Sequence, residues 1–481
     1  MRLAAFAMLA GFGCSTTPSD VLQLVPARGA DGGSIDPLTQ PPQVGTLVVQ
    51  EIDDVDGDVQ LLADATLSAA PIDLAIQPGG ITHTITVTGY DAEGGAVAFG
   101  ATLPFQAGAL SPATTPGVFV QRTEQMAVMP GALSEPRPLP LFGLLNGQTL
   151  FVSGGDTSSD LYSLTWYATQ ESPSLPFVPR SIAIPPCAAP NVATPTCGVA
   201  WLFGSSDGLA PGYYIDFGTD PPAASAFTLP GPGSFADIAG GVTVTDGVHL
   251  YIVGGTGTSG PAQYTLAIDP SDTSDDSYPY GYPSWSGPYT ARQGASAVWA
   301  GDYGLVMLGG TSISAGEDAG AVTGIEQILG FLTSICSAGQ SPPSISVTGA
   351  GAALLPTGDQ VLLAGGLTGD GQDAGVMLVD LTACTITPWS SLPAALANAQ
   401  VFVVDALDAV VVGNEAAPSF RTHVFRVNPA GAVEIPTVVP HANATAVSLP
   451  MNAVDPGSFL LFGGLDGGST WLESFVPSPP L

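Results

Sequence analysis

Aromatic and acidic side chains are concentrated in one segment of the chain, DDSYPYGYPSWSGPY, which spans residues 275–289. The aromatic members are Tyr278, Tyr280, Tyr282, Trp285 and Tyr289, and the neighbouring acids are Asp272, Asp275 and Asp276. Aromatic rings stack on the apolar faces of sugars, while carboxylates accept hydrogen bonds from hydroxyl groups or hold calcium. The segment therefore predicts a sugar-binding surface. The alternative is that it forms the outer strand of a sheet, with Trp285 as a packing residue.

The chain begins MRLAAFAMLAGFGCST, which combines one basic residue, a short apolar stretch and small residues before Cys14. This stretch is too short to span a bilayer and is typical of an export signal. The residues GFGC resemble the signal of bacterial lipoproteins, although Gly11 replaces the usual aliphatic residue. The resemblance implies that residues 1–13 are a signal peptide, that Cys14 is lipidated, and that the protein is an outer-membrane lipoprotein of the cell envelope. The alternative is ordinary secretion with an incidental cysteine.

The other four cysteines are Cys187, Cys197, Cys336 and Cys384, and an even number in an exported chain indicates disulfide bonds. Closing the short loop CAAPNVATPTC costs the least chain entropy, so we expect Cys187 to pair with Cys197 and Cys336 with Cys384. No C-x-x-C motif or Cys/His cluster indicates redox or metal chemistry.

An internal repeat is the strongest pattern in the sequence. Seven apolar runs end in Gly-Gly or a degenerate form of it, at Gly155, Ser206, Gly255, Gly310, Gly366, Asn414 and Gly464. Their successive spacings are 51, 49, 55, 56, 48 and 50 residues. A period of about 50 residues indicates a repeat protein in which each unit buries its faces against its neighbours.

The repeat resembles the kelch repeat, in which the second strand ends in a double glycine and the fourth strand often carries a tryptophan, here represented by Trp389 in ITPWSSLP. The likeness covers residues 132–476. It implies an all-β fold, a seven-bladed kelch-like β-propeller assigned to residues 117–481. Within repeat four, an insertion at 316–330 contains GIEQILGFL, for which we expect a short helix.

Two further segments precede the repeats. Residues 14–44 are rich in Pro, Gly, Ser and Asp and predict a disordered tether. Residues 45–116 contain five alternating runs and predict a small immunoglobulin-like β-sandwich. The run GVFVQRTEQMAVM, at 117–129, is expected to complete the last blade, because only 17 residues follow Gly464. Alternatively, it is the last strand of the sandwich.

The charge balance excludes one class of partner. The chain has 41 acidic residues and 8 arginines, no lysine, and a formal net charge of −33. Nucleic acids need basic patches, which this composition cannot provide. The same charge repels anionic membrane surfaces, so membrane contact is expected only through the lipid on Cys14.

Kelch-like propellers include copper-radical oxidases of the galactose oxidase type, which use two histidines, two tyrosines and a cysteine. The histidines in the repeats, His249, His423 and His441, show no pair at ligand spacing. The acidic run at 53–58 lacks the Gly and Glu positions of an EF-hand loop and is interpreted as a polar turn. We therefore expect no cofactor, with calcium left open, and no catalytic residue can be named.

The function predicted from the sequence is a non-catalytic envelope lipoprotein whose propeller loops bind a glycan or protein ligand at the cell surface. The alternative is a secreted enzyme, an oxidase or a carbohydrate-active hydrolase or lyase, with its site in the propeller funnel. The lining of the funnel discriminates between them, since convergent His, Tyr and carboxylate side chains would favour an enzyme.

Overall fold

The structure is a computed structural model. It describes residues 20–21, 23–53, 59–66, 73–74, 82–106, 117–172, 174–185, 198–204, 212–219, 222–229, 238–257, 260–261, 264–275, 277–286, 292–312, 320–321, 325–329, 345, 347–368, 375–449, 457–465 and 470–478. Within these ranges the protein is all-β, and the only named helix is the 3-10 turn Gly301–Tyr303. None of these residues belongs to a helix that is long and apolar enough to cross a lipid bilayer.

The described residues of the N-terminal part form thirteen strands before residue 130. They are β1 (Asp20–Val21), β2 (Gln23–Val25), β3 (Ala27–Arg28), β4 (Ser34–Ile35), β5 (Thr46–Asp53), β6 (Val59–Thr66), β7 (Asp73–Leu74), β8 (Thr82–Tyr90), β9 (Ala96–Ala101), β10 (Phe105–Gln106), β11 (Gly117–Phe119), β12 (Gln121–Arg122) and β13 (Met126–Val128).

Six of these strands form one antiparallel sheet, the N-terminal sheet, in the order β12-β9-β8-β5-β6, with β10 also paired to β8. The parallel pair β2–β11 and the pair β1–β7 lie outside this sheet. Val49, Ile85 and Val87 of the sheet share a hydrophobic core with Val118 of β11. The apolar positions alternate along β5 and β8 because successive side chains of a strand point to opposite faces.

The expectation of a disordered tether over residues 14–44 is wrong for the part of this segment that the structure describes. β3 pairs with β13, and β3 also pairs with β4. Ala27 and Leu38 are buried in two different hydrophobic clusters. The segment is polar overall, so the composition did not indicate the role of these few apolar residues. Their burial holds the segment against the strands that follow it.

The described residues of the rest of the chain form seven successive antiparallel sheets of three or more strands, numbered here 1 to 7. Sheet 1 contains β14 (Leu141–Leu145), β15 (Thr149–Gly154), β16 (Asp156–Ser163) and β17 (Ala168–Glu171). Sheet 2 contains β18 (Ser181–Ala183), β19 (Val199–Phe203), β20 (Gly212–Asp216) and β21 (Ala223–Phe227). Sheet 3 contains β22 (Val242–Thr245), β23 (Leu250–Val253), β26 (Thr265–Asp269) and β27 (Tyr282–Ser286), with the small pair β24 (Thr256–Gly257) and β25 (Gly260–Pro261) beside it.

The described strands of sheet 4 are β28 (Ser296–Trp299), β29 (Leu305–Leu308) and β32 (Ile325–Leu329), with the pair β30 (Thr311–Ser312) and β31 (Gly320–Ala321). Sheet 5 contains β33 (Thr348–Leu354), β34 (Gln360–Leu367), β35 (Val376–Asp380) and β36 (Thr385–Ser390). Sheet 6 contains β37 (Ala397–Asp405), β38 (Asp408–Asn414), β39 (Thr422–Asn428) and β40 (Gly431–Glu434). Sheet 7 contains β41 (Thr445–Ser448), β42 (Phe459–Phe462) and β43 (Glu473–Phe475), and it is extended by β13, β3 and β4.

The apolar runs of the repeat are the second strands of these sheets, and both of their faces are buried. In β15, Leu150 and Val152 pack against sheet 7, whereas Phe151 packs against sheet 2. In β42, Phe459 packs against sheet 6, whereas Phe462 packs against sheet 1. A strand that is covered on both faces must be apolar at every position, which explains a continuous run instead of an alternating one.

Seven hydrophobic clusters join the sheets in cyclic order, one between each sheet and the next and one between sheets 7 and 1. The T-shaped contact between Phe142 and Phe462, at a centroid separation of 5.4 Å, belongs to the last of these junctions. This arrangement of small antiparallel sheets is compatible with a β-propeller.

One part of the run at 117–129 completes the last sheet, and another part extends the N-terminal sheet. Met126–Val128 pairs with Glu473–Phe475 and so supplies the fourth strand of sheet 7, which confirms the expected pairing. Gln121–Arg122 instead pairs with β9 of the N-terminal sheet, as the alternative required. The segment therefore connects the N-terminal sheet to the last sheet through backbone hydrogen bonds.

The short helix expected within 316–330 is wrong for the residues that are described there. Ile325–Leu329 is a strand that pairs with β29. The periodicity of apolar residues cannot distinguish a short buried strand from a helical turn. This segment is a strand because it pairs with β29.

Candidate functional site

In every sheet, the loop from the second to the third strand lies at the same edge as the linker that enters the sheet. We call this edge the double-glycine edge. In an antiparallel order of four strands, the end of the second strand, the start of the third and the start of the first share one edge. The glycine pairs at Gly309–Gly310, Gly365–Gly366 and Gly463–Gly464 stand at this edge, and all six residues have positive φ. Loops of this kind carry binding residues on a rigid scaffold.

The second glycine of these pairs fastens one sheet to the next. The N–H of Gly310 donates to the carbonyl of Val347, which precedes sheet 5, and the N–H of Gly464 donates to the carbonyl of Arg137, which precedes sheet 1, both at 2.7 Å. A Cβ on Gly463 would stand 2.6 Å from the carbonyl oxygen of Arg137. Glycine is required here both by backbone conformation and by the close approach of the next linker.

A buried basic residue recurs in the linker before three of the sheets. Arg137 donates to the carbonyl of Gly154 and to the carboxylate of Asp160 in β16. In sheet 7, His441 Nδ1 lies 3.2 Å from the carbonyl of Gly463, and its Nε2 lies 3.0 Å from Glu473 Oε1. In sheet 4, the corresponding groups are Arg292, Gly309 and Glu326. In each case a buried basic side chain thus connects a linker, a glycine carbonyl of the double glycine and a carboxylate of a third strand.

This recurring residue was missed by the sequence reasoning, although a signal was present. Arg137 and Arg292 each lie 17 residues before the first glycine of their own repeat. Extending the repeat comparison to the linkers EPRPLP, TARQGA and VPHANA would have aligned Arg137, Arg292 and His441.

An open pocket of about 420 Å³ lies at the double-glycine edge between sheets 6 and 7. One wall is the loop between β38 and β39, and the other is the linker from sheet 6 to sheet 7. Its lining residues are Ser419, Arg421, Thr422, Thr437, Val438, Pro440, His441 and Ala442. The volume lies in the range of small-molecule sites, about 300–1,000 Å³. We call this feature the 6/7 pocket.

The linker wall of the 6/7 pocket is held from below by Glu473. Its carboxylate accepts hydrogen bonds from the backbone N–H groups of Val438, at 2.8 Å, and Val439, at 2.9 Å. The same carboxylate contacts His441, and the side chains of Glu473 and His441 are both fully buried. Fixed walls of this kind reduce the entropy lost when a ligand binds.

The loop wall is held by His423, whose two ring nitrogens contact carboxylates. Nε2 lies 3.0 Å from Glu415 and Nδ1 lies 2.8 Å from Glu434. Arg421 Nη2 also reaches Glu434, at 3.2 Å. Hydrogen bonds from Ser419 and His423 hold the pKa of the Glu415 carboxyl below its ordinary value of 4.5.

The predicted sugar-binding aromatics are placed in the packing between sheets 2 and 3. Tyr278 is buried in this cluster, and Tyr280, Tyr282 and Trp285 pack against it. The hydroxyl of Tyr278 donates to the carbonyl of Thr228, and that of Tyr280 donates to Asp216. Burial and the hydrogen bond to Asp216 raise the pKa of Tyr280 to about 12.

Tyr282 and Trp285 belong to β27, the outermost strand of sheet 3. Asp272 and Asp275 accept hydrogen bonds from Ser274 and Ser277, as acids do in local turns. Tyr289 and Asp276 lie outside the described residues. These contacts favour the packing alternative for this segment.

The other predicted site residues are the cysteines, the acidic turn and Trp389, and most of them lie outside the described residues. Cys384 is disulfide-bonded and buried. Its expected partner Cys336, the pair Cys187 and Cys197, and the lipidation residue Cys14 lie outside the described residues, as does the acidic turn at 54–58. Trp389 lies in β36, the fourth strand of sheet 5, and packs against the core between sheets 5 and 6.

No three His, Cys, Asp or Glu side chains among the described residues are grouped so that they could hold a metal ion. His249 contacts Asp246 at 2.8 Å, and His83 in the N-terminal sheet contacts Glu51 at 2.7 Å. With His423 and His441, every histidine of the chain lies beside a carboxylate.

Comparison with known proteins identifies no family. No protein-family model matches the chain. A search of curated proteins found no significant match either.

Proposed function

We propose that residues 117–481 form a seven-bladed, kelch-like propeller, in which sheets 1 to 7 are the blades. The support is the cyclic order of the seven hydrophobic clusters, in which sheet 7 packs against sheet 1 as each sheet packs against the next. The pairing of β13 with β43 gives the last blade its fourth strand, drawn from the other end of the chain. Closing the ring in this way removes an unpaired sheet edge.

Residues 45–116 are proposed to form a small immunoglobulin-like sandwich, of which the N-terminal sheet is one layer. The support is the contact of β2 and β11 with one of its faces, where Leu24 and Val118 pack with Val49 and Val87. The segment that follows this domain is joined to sheet 6 by ion pairs, in which Glu124 and Asp408 both bind Arg426.

The function proposed for the propeller is non-catalytic binding of a glycan or protein ligand at the cell surface. The observation that carries this proposal is the chemistry of the first strands, which lie against one another from sheet to sheet and would line the axis of a propeller. Within their described residues, these seven strands carry one ionisable side chain, Asp405, whose carboxylate accepts a hydrogen bond from Leu407 in a turn. General acid–base and nucleophilic catalysis need convergent ionisable groups.

The cellular setting is part of the same proposal. An exported lipoprotein anchored through Cys14 would meet ligands outside the cell and would touch the membrane through its lipid, while its net charge of −33 disfavours nucleic acid. Growth of a producing strain with labelled palmitate should label the wild-type protein and leave the Cys14→Ser variant unlabelled. Equal labelling of both, or of neither, would refute the anchor and leave the binding function to be judged separately.

Binding and catalysis are separated by following the fate of the ligand. The protein without residues 1–14 is applied to arrays of glycans and to surface proteins of the producing cell. Each captured ligand is recovered, and its mass is measured by mass spectrometry. We expect the ligand to be recovered unchanged. A converted ligand, with conversion lost in the Asp405→Asn variant, would establish the enzymatic alternative.

A further inference from the structure

The 6/7 pocket combines donors, acceptors and an apolar wall within one small volume. Arg421 is 63 % exposed and uses one of its guanidinium nitrogens to contact Glu434. Ser419 and Thr437 contribute hydroxyl groups, and Val438, Pro440 and Ala442 contribute apolar surface. The carboxylates of Glu415 and Glu434 stand behind the loop wall and are partly exposed.

We infer that the 6/7 pocket is the ligand site of this protein and that it binds a short, neutral, polyhydroxylated ligand, a saccharide of one or a few units. The inference rests on the proposed binding function and assigns that function to a site and to a class of ligand. The aromatic segment at 275–289 is not part of this site, because its described rings pack between sheets 2 and 3.

Charge selects a neutral ligand over an ionic one. An anion would have to approach a chain with a net charge of −33 and compete with Glu434 for Arg421. A cation would meet the guanidinium of Arg421 at the mouth of the pocket, and Glu434 already has Arg421 and His423 as partners. A neutral ligand avoids both penalties, because it brings no charge to be desolvated.

Hydrogen-bond chemistry selects a saccharide among neutral ligands. A sugar hydroxyl both donates and accepts, so neighbouring hydroxyls can accept from Arg421 and donate to a carboxylate or a threonine oxygen. The C–H groups of a sugar ring can pack against Val438 and Pro440 on the linker wall. A purely apolar ligand would leave the guanidinium and hydroxyl groups of the pocket without partners, which costs free energy.

The construction of the walls fits a binding site. The side chains of Glu473 and His441 hold the linker wall, and the side chain of His423 holds the loop wall. Glu473 holds the backbone of Val438 and Val439, and His423 holds Glu415, with which the loop begins. A preformed site of this kind loses little conformational entropy on binding, which suits a ligand as weakly bound as a small sugar.

The test measures binding of defined saccharides to the full chain and to matched variants. The probes are mono- and disaccharides of glucose, galactose, mannose and N-acetylglucosamine, with glucuronic acid and sialic acid as anionic probes, titrated by calorimetry. Arg421→Met removes the charged donors but keeps the length of the side chain, and Thr437→Trp fills the pocket. Arg180→Met is the control, because Arg180 is an exposed arginine in the linker before sheet 2, at the same edge.

We expect at least one neutral saccharide to bind, with affinity reduced about tenfold or more by Arg421→Met, abolished by Thr437→Trp and unchanged by Arg180→Met. Melting temperatures within about 2 °C of the wild type show that each variant is folded. Full affinity in both pocket variants would place the site elsewhere. Binding of the anionic probes alone would overturn the ligand class.

Failure of this inference is distinguishable from failure of the proposed function. If no saccharide binds while a surface protein is captured and recovered unchanged, the inference fails and the binding function stands. If a bound saccharide is converted, the binding function fails, and the pocket variants then report on where the conversion occurs.

Discussion

The imidazole of His441 and the carboxylate of Glu473 form a pair that is completely buried, with Nε2 and Oε1 3.0 Å apart. His441 lies in the linker that enters sheet 7, and Glu473 begins the third strand of that sheet. Because Glu473 also accepts two backbone hydrogen bonds from the linker, one carboxylate holds together the elements that form the wall of the 6/7 pocket.

Replacement of Glu473 by alanine should be strongly destabilising. The change leaves the side chain of His441 and the N–H groups of Val438 and Val439 buried without their partner, and we expect a loss of about 3–5 kcal/mol in the free energy of unfolding. Urea denaturation measures this loss. Glu434→Ala is the control, because Glu434 is 42 % exposed, and its removal should cost about 1 kcal/mol or less. Equal losses in the two variants would contradict a structural role specific to Glu473.

The double glycine should tolerate no side chain where it touches the next linker. Gly463 has a φ of +79°, and a Cβ there would also meet the carbonyl oxygen of Arg137 at 2.6 Å. Gly463→Ala should therefore destabilise the protein by about 2 kcal/mol or more. Gly147→Ala is the matched control, because Gly147 has a φ of +64° but no atom within 4 Å of the added Cβ. Gly147→Ala should lower the free energy of unfolding only by the cost of placing alanine at a positive φ, about 1 kcal/mol. Thermal unfolding of both variants decides between steric contact and backbone conformation.

Removal of the strand that completes sheet 7 should lower the melting temperature. A chain that begins at residue 132 lacks β13, whereas one that begins at residue 116 retains it, together with its pairing to Glu473–Phe475. Each lost backbone hydrogen bond is worth about 1 kcal/mol, and the exposed edge of β43 adds to the loss. Differential scanning calorimetry should find the shorter chain markedly less stable. Identical melting curves would show that the sheet does not depend on β13.

We expect Cys187, Cys197, Cys336 and Cys384 to be oxidised. Peptide mapping under non-reducing conditions is expected to find Cys384 joined to Cys336 and Cys187 joined to Cys197. Cys384 is already known to be disulfide-bonded in the structure, so the mapping tests its partner. A crossed pairing would overturn the argument from loop closure, and free thiols at all four positions would weaken the case for export.

Acid should loosen the loop wall of the 6/7 pocket. The pKa of Glu415 is depressed in the folded protein, so its contribution to stability is complete above the ordinary value of 4.5 and is lost as the pH falls through the lower folded-state pKa. The protection factors for hydrogen exchange of residues 415–421, which are corrected for the pH dependence of intrinsic exchange, should therefore fall in that acidic range and stay constant above it. Glu415→Gln should abolish this fall. Protection factors that do not change with pH in the wild type would show that Glu415 does not restrain the loop.

The sequence by itself determined the repeat and the type of its elements. The runs that end at Gly155, Gly366 and Gly464 recur at a regular spacing and are apolar at nearly every position before the glycines, and the structure shows that they are the second strands of their sheets. They were recognisable because a strand buried on both faces leaves a continuous local pattern. The double glycine was equally recognisable from the local sequence, because glycine is the residue type that adopts positive φ readily.

Only the tertiary structure decided which polar residues act together. His441 and Glu473 are 32 residues apart and meet only when a linker packs on a third strand. Glu415, just after β38, and Glu434, at the end of β40, reach His423 from the two sides of β39. The same limit explains the aromatic segment, whose rings were correctly identified as a cluster but pack against sheet 2 instead of facing solvent. Burial depends on which sheet lies opposite, and no local pattern in Tyr278–Trp285 specifies that neighbour.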